Sequence, residues 1–180
     1  MDKRAQEVID FWLGLGPKAW FARSDAVDAQ ITEKFAALHA EAAEGRLDHW
    51  MQHAGECVAL AIVLDQFSRN MFRGRPEAFA CDAHALAVAN HAIASGFHLD
   101  VESSLADFFF MPMMHSESVL DQRRCVALMH AYSNSDSLHY AKLHLHVIER
   151  FGRFPHRNPV LGRTTTPAET AYLEGGGFSA

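Results

Sequence analysis

The sequence has little of what marks exported or membrane-spanning proteins. It contains only three cysteines, Cys57, Cys81 and Cys125, which lie far apart among Ala, Val and Leu. An odd, scattered set is not a disulfide framework, so we expect buried thiols in a reducing compartment. The longest apolar runs, 57–64 and 108–114, fall far short of the ~20 residues that span a bilayer. The charged N-terminal residues contain no apolar segment typical of a signal peptide. We therefore expect a cytoplasmic protein without membrane contact.

An excess of positive charge is also missing. The formal net charge of −6 argues against a protein that attracts nucleic acid through its overall field. At 180 residues, with 49% hydrophobic and 21% charged residues, the chain is suited to one folded domain of ordinary size. We predict a single helical domain over 1–174. Three consecutive glycines open the remaining segment, 175–180, which we predict to be a flexible tail.

No stretch shows the sustained period-two alternation that predicts a strand. Apolar residues instead recur every three or four positions, and the segments between them carry glycine, proline or capping residues. The predicted helices cover 4–13, 25–44, 47–51, 56–72, 77–95, 104–112, 118–133, 137–151 and 168–174. The fold class is thus all-α, with eight or nine helices in a right-handed antiparallel stack.

The predicted helix over 56–72 changes character along its length. Its first two turns, CVALAIVL, are apolar on every side, as in a central helix surrounded by others. Its last turns place Asp65 and Arg69 in line with this buried stripe, with Gln66 and Asn70 on the adjoining side. Asp65 and Arg69 are also an i, i+4 pair of opposite charge. We predict that these four polar residues contribute to a ligand-binding site.

The stretch HLHVIERFGRFPHRN, 144–158, is the most informative part of the sequence. Its helical part places His144 between two apolar arcs, whereas His146 lies on a polar flank. We therefore expect His144 to be the less exposed of the two. Beyond the break at Gly152, the candidate ligand-binding residues Arg153, His156 and Arg157 could hold a carboxylate or phosphate through forked hydrogen bonds. The alternative is that they tie the loop to helix ends and to carboxylates.

A third polar group, His115 and Glu117, lies at a predicted helix start after Pro112. With His144, these residues are our candidate catalytic groups, since histidine and carboxylate side chains perform general acid and base chemistry. The competing interpretation of His144 is a core histidine that is hydrogen-bonded to a carboxylate or carbonyl.

Motifs for other chemistries are missing. The chain has twelve histidines, but none has a specific metal-ligand spacing, and the cysteines are isolated. We predict no metal site and no cofactor. No strand-to-helix serine elbow is present, and a buried helical cysteine is normally inert.

Three motifs resemble a known bacterial family, that of domain of unknown function 924. They are LDQFSRNMFRG at 64–74, FFFMPMMHSES at 108–118 and ERFGRFPHRN at 149–158. VIDFW near the start and LGRTTTPAE near the end agree in order, so the resemblance covers nearly the whole chain. It implies a tetratricopeptide-like helical fold and no established activity. The family pattern has proline where this chain has Ser68, and arginine then aspartate at 145 and 146, which argues against a role for the His146 flank.

Two functions of different classes follow. In the first, the polar residues converge on a pocket that binds a small anionic molecule, with histidine and carboxylate acid-base chemistry. In the second, a tetratricopeptide-like concave face binds a peptide or partner protein, and the polar cluster is a buried structural network. An enclosed cavity among these residues would favour the first, and an open groove the second.

Overall fold

The computed structural model of the protein describes residues 1–178. Over that range the chain forms nine helices and no strand, which confirms the all-α prediction. The helices are α1 (Lys3–Leu15), α2 (Pro17–Trp20), α3 (Asp25–Ala43), α4, α5 (Asp82–Ala94), α6 (Ser103–Met114), α7 (Val119–Tyr132), α8 (Ser135–Phe151) and α9 (Pro167–Glu174). Helix α4 has three consecutive segments, which are α-helical Ala54–Ala61, π-helical Ile62–Phe67 and α-helical Ser68–Met71. Short 3-10 turns at Asp48–Gln52, Pro76–Phe79, Phe97–Leu99 and Pro155–Arg157 connect them.

Side-chain caps fix several helix starts. Ser24 caps α3 and Ser118 caps α7, each by accepting a backbone N–H three residues on. Thr166 and Glu169 form a reciprocal capping box at the start of α9. The prediction for α8 was wrong by about two residues. Its cap is Asn134, whose side chain accepts two backbone N–H groups and starts the helix earlier.

Helix α4 is the centre of the molecule. Every residue from Cys57 to Ser68 is buried, as expected for a helix without a polar side. α1, α3, α5 and α6 pack around it, and Trp12, Phe35 and Phe67 meet in edge-to-face or tilted contacts on one flank. The apolar majority of α4 thus forms the core, and its polar turn is carried into the interior.

Two predicted helices differ from the structure. The helix predicted over 77–95 is divided, because the turn that starts at Pro76 is a 3-10 turn and α5 begins only at Asp82. Asp82 therefore lies in a first helical turn, where a carboxylate is favoured by the helix dipole. Helix α6 contains Pro112 and ends within one turn of it, at Met114.

Consecutive helices from α5 to α8 pack against each other in chain order. The right-handed sense and the tetratricopeptide likeness stay predictions, and so does the division at residue 174. Of the predicted tail, residues 175–178 are described and 179–180 lie outside the described residues. None of the helices in 1–178 combines the length and the apolar character of a membrane span.

Candidate functional site

The polar turn of α4 coincides with its π-helical segment, Ile62–Phe67. π-helical turns are rare and frequently occur at functional sites. Asp65 and Gln66 lie in this segment, and Asp65 is only 1% exposed. The wider turn therefore brings a carboxylate and an amide into the core.

Asp65 is bonded on all sides. One of its oxygens lies 2.8 Å from Nδ1 of His115 and 3.0 Å from Nη1 of Arg69, and Gln66 donates to the other at 2.6 Å. Burial alone would raise the pKa of Asp65, but Arg69 and His115 outweigh it and hold that pKa well below the usual range. Asp65 is thus ionised, and the Nδ1–H group of His115 donates a hydrogen bond to it.

Arg69 also contacts a second carboxylate, that of Asp82. Its Nη2 lies 3.0 Å from Asp82, and the other oxygen of Asp82 accepts from Nη1 of Arg157 at 3.4 Å. The Arg69–Asp82 contact is close but not aligned for a hydrogen bond. We call Asp65, Arg69, Asp82, His115, His144 and Arg157 the core network.

Arg157 is held between two aromatic rings. Its guanidinium carbon lies 4.7 Å from the ring centre of Phe79 and 4.5 Å from that of Phe154. Its side chain is 7% exposed, and its Nε is buried without a hydrogen-bond partner among the described residues. The bond to Asp82 thus leaves the Nε edge of a buried cation unpaired.

His144 is 4% exposed, whereas His146 is exposed, as predicted. Its Nδ1 lies 2.8 Å from the carbonyl oxygen of Tyr140, and its ring centre lies 6.1 Å from that of His115. Burial lowers the pKa of His144 from 6.5 to about 3, with His115 adding to the effect. His144 is therefore a neutral imidazole at neutral pH.

The core network holds two arginines, Arg69 and Arg157, and two carboxylates, Asp65 and Asp82. Burial and, after it, the charge of Arg69 lower the pKa of Arg157 to about 10. Burial and the charge of Arg157 likewise lower the pKa of His156 to about 4. The removal of these groups from water is thus the main cause of both shifts.

A short segment after α9 lies over this region. Phe178 packs on the His144 ring at 4.6 Å between centres, and its backbone N–H donates to the hydroxyl of Tyr172. A Cβ on Gly177 would lie 2.5 Å from the Tyr172 ring, so only glycine allows this close approach. Phe154 packs on the His144 ring as well.

The remaining loop residues form a second set, the loop network, and their partners are acids. Arg163 donates to both oxygens of Glu117, which also accepts the backbone N–H of Phe154. Burial raises the pKa of Glu117, but these bonds outweigh it and keep the pKa below its ordinary value. Arg153 donates to Glu169 through Nε at 2.6 Å and Nη2 at 2.9 Å. The loop network comprises Glu117, Arg153, Asn158, Arg163 and Glu169.

The structure separates Asn70 from the other predicted residues. Asn70 and Arg73 both donate to Asp28 of α3, at the far end of α4. Asn70 is predicted beside Asp65 and Arg69 from a uniform 100° per residue. The π-helical turn and the helix end at Met71 break that uniform geometry.

The described residues offer little to other chemistries. Cys57, Cys81 and Cys125 are buried free thiols, and burial raises the pKa of Cys57 and of Cys125 to about 12. Ser68 donates to the carbonyl oxygen of Leu64 and lies 2.7 Å from His39 Nε2, so this histidine is a donor to the hydroxyl and does not activate it. Within 1–178 no group of three His, Cys, Asp or Glu side chains is arranged to hold a metal.

Two open depressions mark the surface. One, of about 460 Å³, lies between α1 and α3 around Phe11 and Lys34. The other, of about 400 Å³, reaches Glu117 beside Arg123 and Glu149. Asp65, His115, His144 and Arg157 line neither of these two depressions.

Two members of the core network and its surroundings were missed in the sequence. Asp82 lies inside what was predicted as one uninterrupted helix, and Phe79 lies in the 3-10 turn before it. Two signals were available. Pro76 marks the start of a separate short turn, and the carboxylate of Asp82 is favoured in the first turn of a helix.

Comparisons with known proteins agree on the family and the fold. The family model described as bacterial protein of unknown function (DUF924) matches residues 8–177. A solved structure of a protein of unknown function from Agrobacterium tumefaciens is similar over 95% of this chain and 97% of that one, with 40% identity and a TM-score of 0.92. No curated protein matches the chain.

Proposed function

This chain belongs to the bacterial family of unknown function DUF924, and we propose from its core network that it binds a small anionic molecule. The observation that carries the proposal is Arg157, a buried cation whose Nε edge has no partner. Unpaired buried donors are costly and uncommon in folded proteins.

The environment of Arg157 restricts how it can bind. The guanidinium carbon lies over the rings of Phe79 and Phe154, and the N–H groups of a planar guanidinium donate only in its plane, at its edges. Nη1 points to Asp82. The opposite edge, which carries Nε, is the one that holds a carboxylate or phosphate in two parallel hydrogen bonds.

The placement of the two carboxylates supports an anion at the same edge. Arg69 and Arg157 share the carboxylate of Asp82, while Asp65 is already engaged by Arg69 and His115. Neither carboxylate pairs with Nε of Arg157, and a bound anion would supply the acceptor that this group lacks.

His115 and His144 are our proposed acid-base residues. Each imidazole donates a hydrogen bond through Nδ1–H to a fixed acceptor. The acceptor is Asp65 for His115 and the Tyr140 carbonyl for His144. Each Nε2 is then free to take a proton, as in carboxylate-oriented catalytic histidines. Glu117 has both oxygens bonded by Arg163 and the Phe154 N–H, so we assign it to positioning the loop that carries Arg157.

The peptide-binding alternative requires the same residues to face an open groove. Asp65 and His144 are almost fully buried, which favours a small enclosed ligand over a peptide. Phe178 lies against His144, so a ligand that reaches this ring displaces the segment over 175–178.

Thermal unfolding with added anions tests the proposal. Phosphate, acetate and butyrate are compared with chloride at equal ionic strength, using the wild type, Arg157→Lys and the control Arg153→Lys. We expect at least one anion to raise Tm of the wild type and of the control by roughly 2 °C or more. In Arg157→Lys this shift should be lost, because lysine has no fork.

Equal shifts in all three proteins would contradict the proposal. The purely structural interpretation makes its own prediction with Arg69→Ala, which should then lower stability strongly while no anion stabilises the wild type.

A further inference from the structure

The ring of His144 has a defined tautomer. Its Nδ1 lies 2.8 Å from the Tyr140 carbonyl oxygen, and a carbonyl oxygen can only accept a hydrogen bond. Nδ1 therefore carries the proton. In the neutral ring Nε2 then carries a lone pair and acts as an acceptor.

This acceptor has no protein donor. Nε2 of His144 is buried and unpartnered among the described residues. The neighbouring His115 uses its Nδ1 for Asp65, and the rings of Phe154 and Phe178 that pack on His144 have no polar hydrogen to give. A buried acceptor in this state is rarely left unused.

His144 and Arg157 both pack on the ring of Phe154. The centre of that ring is 5.6 Å from that of His144 and 4.5 Å from the guanidinium carbon of Arg157. The charge of Arg157 also contributes to lowering the pKa of His144. The unpaired donor and the unpaired acceptor thus belong to neighbouring side chains.

We infer that the ligand carries a hydrogen-bond donor close to its anionic group, and that His144 selects for that donor. The class is a hydroxy or amino acid, whose carboxylate lies on the Arg157 edge and whose hydroxyl or ammonium donates to His144 Nε2. The inference rests on the proposed anion binding and adds to it the second functional group of the ligand.

Calorimetric titration with matched acids tests it. Butyrate is compared with 2-, 3- and 4-hydroxybutyrate, which add one donor at successive distances from the carboxylate. The proteins are the wild type, His144→Phe and the control His146→Phe, an exposed histidine of the same helix. We expect one hydroxy acid to bind the wild type and the control about tenfold more tightly than butyrate. In His144→Phe this advantage should vanish while butyrate binding is kept.

The outcomes separate the two proposals. If butyrate and all hydroxy acids bind equally in an Arg157-dependent way, the selection by His144 is wrong and anion binding stands. If no acid binds, anion binding fails, and the inference with it. Nitrogen NMR of the wild type shows which ring nitrogen of His144 carries the proton, and it does not depend on a variant that folds. A proton on Nε2 instead of Nδ1 would overturn the inference.

Discussion

Arg153 and Arg157 belong to the same short loop, four residues apart, but only Arg153 has a hydrogen-bond partner for its Nε. The edge of Arg153 that carries Nε and Nη2 is filled by the carboxylate of Glu169. In Arg157 the Nε of the same edge is buried and unpaired. One arginine completes a contact with an acid, and the other keeps an unpaired donor inside the protein.

The difference extends to the two networks. In the loop network, Glu117 and Glu169 each receive an arginine and at least one backbone N–H, so each acid organises a turn of chain. In the core network two arginines share Asp82. Each carboxylate of the loop network is bonded to one arginine, whereas in the core network neither Asp65 nor Asp82 pairs with Nε of Arg157.

The largest expected effect is that of Asp65→Asn, which removes the central carboxylate of the core network. Asparagine keeps an acceptor oxygen but not the negative charge, so Arg69 would lose its buried counter-charge and His115 its carboxylate acceptor. We expect the free energy of unfolding to fall by about 3–5 kcal/mol, as when one partner of a buried ion pair is removed. Chemical denaturation measures this. A loss below about 1 kcal/mol would break the comparison, because the two networks would then contribute alike.

The second largest expected effect is a loss of folding stability at acidic pH, caused by His144. Its pKa is lowered from 6.5 to about 3 in the folded protein, so between these values the unfolded chain binds a proton that the folded chain does not. Stability therefore falls as pH decreases from about 6.5 towards 3. His156, whose pKa is lowered to about 4, acts in the same direction.

His144→Phe should weaken this pH dependence, since phenylalanine does not titrate. Tm of the wild type and the variant is compared at pH 7 and at pH 5. Parallel profiles would show that the neutral state of His144 is not a source of acid sensitivity.

A smaller effect is expected from Glu169→Gln in the loop network. The bonds from Arg153 lower the pKa of Glu169 to about 2, below its ordinary value of 4.5. Such a carboxylate contributes stability above pH 4.5 and loses it as pH falls to about 2. Glutamine keeps the capping box but not the charge, so Tm should be roughly 3 °C lower at pH 7. The two proteins should converge near pH 2, and a difference that persists there would exclude the ion pair as its cause.

The smallest effect should come from Glu149→Gln, the reference for both networks. Glu149 pairs with Arg123 on the surface, with side chains 42% and 62% exposed. Exposed pairs of this kind contribute less than about 1 kcal/mol, so the free energy of unfolding should stay within about 0.5 kcal/mol of the wild type. A larger loss would mean that exposure does not separate the pairs in this protein.

The fold could be predicted where the signals are local. Apolar spacing located the helices, and the capping box of Thr166 and Glu169 gave the start of α9 to within one residue. The start of α8 was missed because Asp136 and Ser137 are themselves good caps, and Asn134 competes with them. Nothing in the amino-acid pattern of 62–67 distinguishes a π-helical turn from an α-helical one.

The site could be predicted only in part, because its contacts join distant segments. On the helix predicted over 56–72, polar residues in line with the buried apolar side indicated Asp65 and Arg69. On the helix predicted over 137–151, the position of His144 between two apolar sides indicated a buried histidine. Asp82 was missed since its contacts with Arg69 and Arg157 arise from packing between helices and loop. Whether Nε of a loop arginine is paired by an acid, as in Arg153, or left unpaired, as in Arg157, depends on the same packing.

The π-helical turn of α4 makes the core network depend on chain length as well as on residue type. Such a turn accommodates one residue more than a regular α-helical turn. Deleting a single apolar residue within 62–64 would let the helix become regular and rotate everything upstream of the deletion by about 100° relative to Asp65. Arg69 would still follow Asp65 by four residues, but the pair would leave the side of α4 that faces His115. A chain with every polar residue of the network intact could thus lose the network through the loss of one residue that is not part of it.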